Sequence, residues 1–401
     1  MSLLPAIGVV VALLAVAFLF AQVAVHAGIP APVAIVLVGI AAGGMLPGDL
    51  QITLTPATLA LFLPALIFEG AWDLDAGALR RAAVAIAVLA VPGVLVTATA
   101  IGGAGALAGG MTLAGAFALG AILSATDPVA VLALFRKLNV PPDLLAIVEG
   151  ESIANDGVAA VLVGSALLLA SGGANTVALI WNAGYATVAG IGIGIAAALL
   201  GTPILRRIRE PSVGIVVTLA VAYGAYAIAT VAGASGIFAS AAAGVALPRL
   251  ALDKNEIRSI EHFWDTAAFL ANAVVFLLVG LSLRLERIFN EPRLLLATVV
   301  AVIAARLLLA YLLVPVRGGP DGPQRGWREA IALAGVRGGL SLALALGLPR
   351  GFPNRPEIVD AVFAVVFLTL VVQGWLLAPM LRRIPFGEAE SKGSSIRRVA
   401  S

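Results

Sequence analysis

Long uninterrupted apolar runs limit what this chain can fold into. Clusters of proline, glycine and charge divide its 401 residues into thirteen apolar stretches of about 16 to 30 residues. Helices of that length cross a hydrocarbon core of about 30 Å. Only 12% of the residues are charged and 61% are hydrophobic, whereas a soluble domain carries about twice that charged share. The sequence predicts an all-α polytopic membrane protein with about thirteen transmembrane helices. They lie near 3–26, 30–46, 56–72, 82–107, 111–136, 143–170, 176–205, 212–230, 233–248, 259–283, 293–316, 327–349 and 357–381. Residues 386–401 form a short polar tail.

Several function classes drop out. With no cysteine, disulfides, thiolate metal sites and thiol catalysis are excluded. His26 and His262 lie far apart near predicted helix ends and read as interfacial polar residues. No phosphate loop or nucleophile–base pair is visible, so neither an enzyme nor a cofactor is expected. The net charge of +3 resides in loops, which points to a lipid bilayer as partner and not to nucleic acid.

Eighteen of the twenty-five Lys and Arg fall in one set of alternate loops and the tail. Five lie on the opposite side (Arg284, Arg287, Arg293, Arg350 and Arg355), while Arg306 and Arg337 fall inside spans. The positive-inside rule then puts the C-terminus in the cytoplasm and the N-terminus outside, as an odd number of spans requires. The first run, too long for a signal peptide and with no basic residues before it, is expected to stay as a helix. Thirteen spans divide as six, one and six, so the second six are inverted relative to the first. Secondary transporters are often built from such repeats, with discontinuous helices meeting near the midplane. The fifth and twelfth spans are therefore expected to be interrupted and to cross there.

Both carry the marks of a break. In the fifth, "MTLAGAFALGAILSATDPVAVLALF", Asp127 is the only charge and Pro128 follows it. Thr126-Asp127-Pro128 reads as a helix start, an N-cap oxygen followed by proline at N1. It lies roughly 13 Å inside the Arg136-Lys137 pair. Irregular backbone at that depth is tolerated where it lines a protein cavity. The twelfth, "WREAIALAGVRGGLSLALALGLP", holds Arg337-Gly338-Gly339 about ten residues in; paired glycines weaken a helix and a central arginine is costly.

The sixth span puts Glu149, Glu151 and Asp156 inside an apolar helix, with Asp156 near its middle. At about 100° per residue, Ser152 and Asp156 share one face, and Glu151 and Asn155 the next. Glu149 projects two turns nearer the cytoplasm, where it would line an approach funnel. Arg306 is central in the eleventh span. Unpaired, the five central groups Asp127, Glu151, Asp156, Arg306 and Arg337 would together cost roughly 12–18 kcal/mol. Structural ion pairs account for two or three of them. The excess carboxylate beside two broken helices suits a hydrated cavity that binds a cation. Burial favours a protonated carboxyl and a bound cation favours the ionised one, so each ligand expels the other. Carboxylate, hydroxyl, amide and carbonyl oxygens suit a hard ion.

Six motifs in order, "LPALIFEGAWDLD", "SATDPVAVLALF", "EGESIANDGVAAVL", "FWDTAAFLANAVVFLLVGL", "RGWREAIALAGVRGGLSLALAL" and "VVQG", resemble the monovalent cation:proton antiporter-1 family of sodium/proton exchangers. The resemblance covers nearly the whole chain. It implies that Asp156 binds cation and proton, and that Asn155 is the asparagine of an Asn-Asp pair. It also implies that Asp127, Ser152 and Thr126 contribute to the monovalent cation site, Thr126 through its carbonyl. Glu151 would pair with Arg306, and Arg337 with Glu69. A homodimer is implied, in which core helices (about 82–170 and 293–381) move against dimerisation helices (about 3–72 and 212–283) within an exchanger domain over 1–385. Asn155 replaces an aspartate of the electrogenic relatives, so one Na⁺ is expected to exchange for one H⁺ without net charge movement. Asp127 leaves this open, because two nearby carboxylates titrate together. K⁺/H⁺ or Li⁺ exchange by the same fold is the near alternative; a sodium-coupled symporter or a cation channel is the distant one. Asp265 stands where a glutamate is common, and the short tail favours direct control at the site over a cytosolic partner. The Ala/Gly-rich helices and lack of targeting motifs point to a bacterial plasma membrane.

Overall fold

Proline and capping residues set where the helices begin. In the computed structural model, residues 3–26, 31–45, 56–172, 175–207, 210–247, 252–282, 291–314, 326–373 and 379–384 are described. The tail 386–401, Gly374 of "VVQG" and much of the charge-bearing loop sequence lie outside them. The described residues are helical and contain no strand.

The first helices are α1 (Leu3–His26), α2 (Ala31–Met45), α3 (Pro56–Asp73) and α4 (Ala76–Val88). Asp75 caps α4, its Oδ1 accepting from the Ala78 amide at 2.6 Å. A π-turn over Leu89–Gly93 contains Pro92 and leads into α5 (Val94–Gly109). Proline has no N–H to continue the α-helical ladder, and the wider turn absorbs the gap. Next come α6 (Leu113–Ser124) and α7 (Val129–Lys137), then α8 (Pro142–Ala170), which opens with proline in its first turn. After it come α9 (Thr176–Arg207), α10 (Pro211–Val231), α11 (Gly236–Ala246) and α12 (Lys254–Ser282). Then α13 (Pro292–Leu308) runs into a second π-turn over Leu309–Leu313. The series ends with α14 (Trp327–Leu333), α15 (Gly339–Gly347) and α16 (Arg355–Leu368), the last passing into a π-turn at Thr369–Gln373.

Among the described residues, six continuous helical stretches are long and apolar enough to cross a membrane: 77–109, α8, α9, α10, 255–282 and 292–313. Trp181, Leu199 and Val231 are more than half exposed on outward faces, which suits contact with lipid. The fifth and twelfth apolar stretches are each split into two short helices, α6–α7 and α14–α15, as their sequences lead one to expect.

Close backbone approach holds these helices together, since lipid leaves no hydrophobic drive between them. Gly39 of α2 lies against Gly280 of α12, and Gly120 of α6 against the carbonyl of Ala98 in α5; a side chain at any of these would overlap backbone. A large apolar core surrounds the broken helices. A second gathers α3 and α9–α12 around Phe68, Trp72 and Trp264, with the Phe68 and Trp264 rings 4.6 Å apart.

One ionic tie crosses the large core. Arg306 of α13 meets Glu151 of α8 in a two-pronged contact, Nη1 to Oε1 at 2.5 Å and Nη2 to Oε2 at 3.0 Å. Its Nε donates to the Ile331 carbonyl at the end of α14 at 2.9 Å. Arg306 therefore joins three helices, with both partners of the ion pair buried. Arg306→Ala is expected to cost about 3–5 kcal/mol by stranding Glu151. The paired change Glu151→Gln with Arg306→Met should recover part of that, the remainder being the uncapped Ile331 carbonyl. Thermal unfolding of the purified protein in detergent measures both, and an unchanged Arg306→Ala midpoint would remove the tie from this role.

Candidate functional site

A helix interrupted inside a membrane leaves backbone carbonyls and amides that water cannot reach. Hydroxyl and guanidinium side chains, some local and some from distant segments, satisfy several of them here. At the end of α6, the Ala121 carbonyl accepts from Ser124 Oγ at 2.6 Å, and that of Ile122 from Ser341 Oγ at 2.9 Å. The Leu123 carbonyl accepts from Arg337 Nε at 2.7 Å. Arg337 also donates through Nη1 to the Gly335 carbonyl at 2.6 Å, in the break after α14. Its positive charge thus lies at the carbonyl ends of two half-helices, where the helix dipole favours it.

The two breaks touch. The Asp127 amide donates to the Val336 carbonyl at 2.8 Å, and the Asp127 side chain lies against Gly338. The helix start differs from the sequence expectation. Pro128 itself is the N-cap of α7, and no side chain caps that helix. The Thr126 side chain is engaged elsewhere: its Oγ1 accepts from Asn155 Nδ2 at 2.7 Å, while its amide donates to Asn155 Oδ1 at 3.3 Å. Ser152 Oγ donates to the Thr126 carbonyl at 2.6 Å. Three hydrogen bonds thus fasten the first break to α8.

Asp156 follows Asn155 on α8 and is half-buried. Its Oδ1 is sealed from solvent and has no hydrogen-bond partner among the described residues. Asp127 and Glu151 are its charged neighbours. Thus Asp156, Asp127, Ser152, Thr126 and Asn155 gather where α8 meets the first break. A small cavity beside them has Ser124, Thr126, Glu151, Asn155, Arg306 and Arg337 in its wall, together with residues of α5 and of the first two π-turns. The oxygens in this region are those of carboxylate, hydroxyl, amide and backbone carbonyl, a donor set suited to a hard monovalent cation.

The Glu69–Arg337 pairing is not found. Arg337 hydrogen-bonds to backbone carbonyls, and the Glu69 carboxylate gathers with those of Asp73 and Asp265, all within 4.8 Å of one another. Glu69 sits near the end of α3, while the Arg337 guanidinium is held at the carbonyl ends of the two breaks. Arg136, at the end of α7, approaches Asp73 at 3.4 Å and Glu149 at 3.6 Å. Glu149 therefore faces a group of acids near that end of α8.

Sequence reasoning missed Ser341, Thr369, Arg136 and the π-turns. Ser341 was within reach, since it is the one polar side chain in the apolar segment that follows the Arg337-Gly338-Gly339 break. Thr369 Oγ1 accepts from the Arg337 amide at 3.3 Å, a contact between distant segments that spacing does not reveal. Pro92 marked the first π-turn; nothing in Leu309–Leu313 marks the second.

Known proteins resemble this chain in sequence and in fold. The family described as "Sodium/hydrogen exchanger, transmembrane" matches residues 9–383. The Na(+)/H(+) antiporter ApNhaP of Aphanothece halophytica is 33% identical over 366 residues, covering 89% of this chain and 70% of the relative. The low-affinity Na(+)/H(+) antiporter NhaS1 of Synechocystis sp. is 33% identical over 416 aligned positions, covering 96% and 77%. The solved structure of the sodium proton antiporter MjNhaP1 from Methanocaldococcus jannaschii at pH 8 superposes with a TM-score of 0.81. It covers 97% of this chain and 100% of that one at 21% sequence identity, a likeness of fold. With the family match spanning almost its whole length, this chain belongs to the transmembrane sodium/hydrogen exchanger family.

Proposed function

We propose that this protein is a secondary active antiporter that exchanges Na⁺ for H⁺ across a bacterial plasma membrane. The observation that carries this reading is the Asp156 carboxyl, with one oxygen sealed and unpartnered beside the Asp127, Ser152 and Thr126 oxygens at a helix break. Such a group satisfies itself by taking up either a proton or a cation. A proton removes the charge that holds the cation, and a cation holds the carboxyl ionised. Competition for one site couples the two fluxes, provided the loaded site faces each side in turn.

The exchange is electroneutral in this reading. Glu151 is matched by Arg306, and Asn155 carries no charge and uses both ends of its amide on Thr126. That leaves Asp156 as the carboxylate that trades one Na⁺ for one H⁺. Asp127 completes the cation's oxygen shell. The same donor set accepts Li⁺ or K⁺, so the transport assay includes both.

The wider architecture belongs to the same proposal: thirteen crossings, N-terminus outside and C-terminus cytoplasmic, in two inverted sets of six about a linking helix. Interruptions at α6–α7 and α14–α15 support it. So do the π-turns at Leu89–Gly93 and Leu309–Leu313, which fall in the fourth and eleventh apolar stretches, seven apart like the fifth and twelfth. Within a homodimer, helices over about 82–170 and 293–381 would move as a core against those over about 3–72 and 212–283.

Purified protein in liposomes with an internal pH dye tests the exchange. Under an inside-acid gradient, external Na⁺ is expected to alkalinise the lumen at a rate unchanged by clamping the membrane potential. A response to K⁺ or Li⁺ alone would change the substrate, and silence to every cation between about pH 5 and 9 would end the antiporter reading. Asp156→Asn is expected to reduce exchange to the level of protein-free liposomes while the protein stays folded. Retained Na⁺-driven proton flux in that variant would take Asp156 out of its role. Because the chain has no native cysteine, Asp156→Cys should be labelled by a small water-soluble thiol reagent. Complete protection under all conditions would argue against a watered path to the site.

A further inference from the structure

Three glycines near the second break, Gly335, Gly338 and Gly339, each receive a different neighbour. A side-chain carbon at Gly335 would meet the Arg306 side chain, 2.8 Å from its Cγ and Nε. One at Gly339 would run into Val275 of α12, and one at Gly338 into Asp127. Gly338 has extended backbone angles, φ −132° and ψ −158°, which any residue adopts. Its lack of a side chain is therefore a matter of space and not of backbone freedom.

The space at Gly338 is occupied by Oδ2, Cγ and Cβ of Asp127 together. Turning the carboxylate about its own bonds would move Oδ2 but leave Cβ in place. A methyl group at 338 could be housed only by separating the two breaks. These are joined where the Asp127 amide donates to the Val336 carbonyl at 2.8 Å. On its other side, Asp127 adjoins Thr126, which Ser152 and Asn155 fasten to α8. The position of the Asp127 carboxylate relative to Asp156 is thus fixed from both sides, by α8 through Thr126 and by the second break through Gly338.

We infer that Gly338 is a positioning residue for cation binding, setting through direct contact with Asp127 the spacing of the two carboxylates that share the ion. This rests on the Na⁺/H⁺ reading above. Gly338 itself offers no ligand atom; it acts by what it leaves out.

The test compares Gly338→Ala with Gly339→Ala in the liposome assay. The neighbouring variant introduces the same methyl group against Val275, away from Asp127. Gly338→Ala is expected to raise the apparent KM for Na⁺ about tenfold with Vmax within about twofold, the pattern of lost binding common to ground and transition states. Gly339→Ala should keep the wild-type KM even if its melting midpoint falls. A wild-type KM in Gly338→Ala, or an equal rise in both variants, would overturn the inference. If Gly338→Ala does not fold, Asp127→Gly/Gly338→Ala decides: recovery of folded protein supports the contact, and continued failure overturns it. A wild-type protein that exchanges no cation would instead remove the antiporter reading itself, so the two failures are distinguishable.

Discussion

Backbone carbonyls stranded inside a membrane are the constraint on which the rest of this structure depends. Two interrupted helices end within the apolar core, and each uncapped carbonyl there would cost several kcal/mol. Five of them are met by Ser124, Ser341, Arg306 and Arg337. Arginine is well suited to this work, because its fork of donors reaches several acceptors while its charge opposes the carbonyl end of the dipole. The breaks persist because these caps stabilise them, and the breaks in turn free the Thr126 carbonyl and bring Asp127 beside α8.

Less than two turns of α8, from Glu151 to Asp156, then show how neighbouring polar residues take different tasks. Glu151 is held by two guanidinium nitrogens and is a fixed charge. Ser152 and Asn155 are held by Thr126 and fix the geometry of the break. Asp156 has an oxygen that no described donor serves. A charge already matched by an arginine gains little from a cation, whereas a sealed and unserved one gains much. The proposed division between structural and exchangeable carboxylates thus rests on hydrogen-bond partners, not on depth alone.

Much of this was legible in the sequence, for a definite reason. Run length marks the segments that form apolar helices, and the marks "TDP" and "RGG" show where two of them break. Helical periodicity also put Ser152 and Asp156 on one face of α8. Contacts between helices were much less legible, because spacing along one helix says nothing of the angle at which another meets it. Glu69 and Arg337 illustrate this: each is a plausible partner for an opposite charge, yet Glu69 turns to Asp73 and Asp265 and Arg337 to carbonyls. Likewise, Gly338 and Gly339 read as helix breakers, whereas their absent side chains make room for Asp127 and Val275. Pro128 was read as N1 and is the N-cap, since Thr126 is drawn to Asn155 instead of capping α7.

The same pattern of bonds indicates where movement would occur during exchange. Thr126, Asn155, Ser152, Ser341 and the arginine caps tie α6, α8, α13, α14 and α15 to one another through directed polar contacts. A different kind of contact lies between α8 and α15 on one side and α3 and α11 on the other. There Ile153, Ala160 and Leu340 meet Ile67, Ala71, Ile237 and Ala241, and the Phe238 ring rests in the notch left by Gly157, directly after Asp156. Apolar surfaces of this kind slide without breaking hydrogen bonds of their own, although the Arg136–Asp73 contact between α7 and α3 at 3.4 Å would have to open, while the polar network resists any change in spacing. The alternating access proposed above therefore needs no remaking of the proposed cation site: the site would travel as one body, and the thin apolar layer beside Asp156 would decide which side it faces.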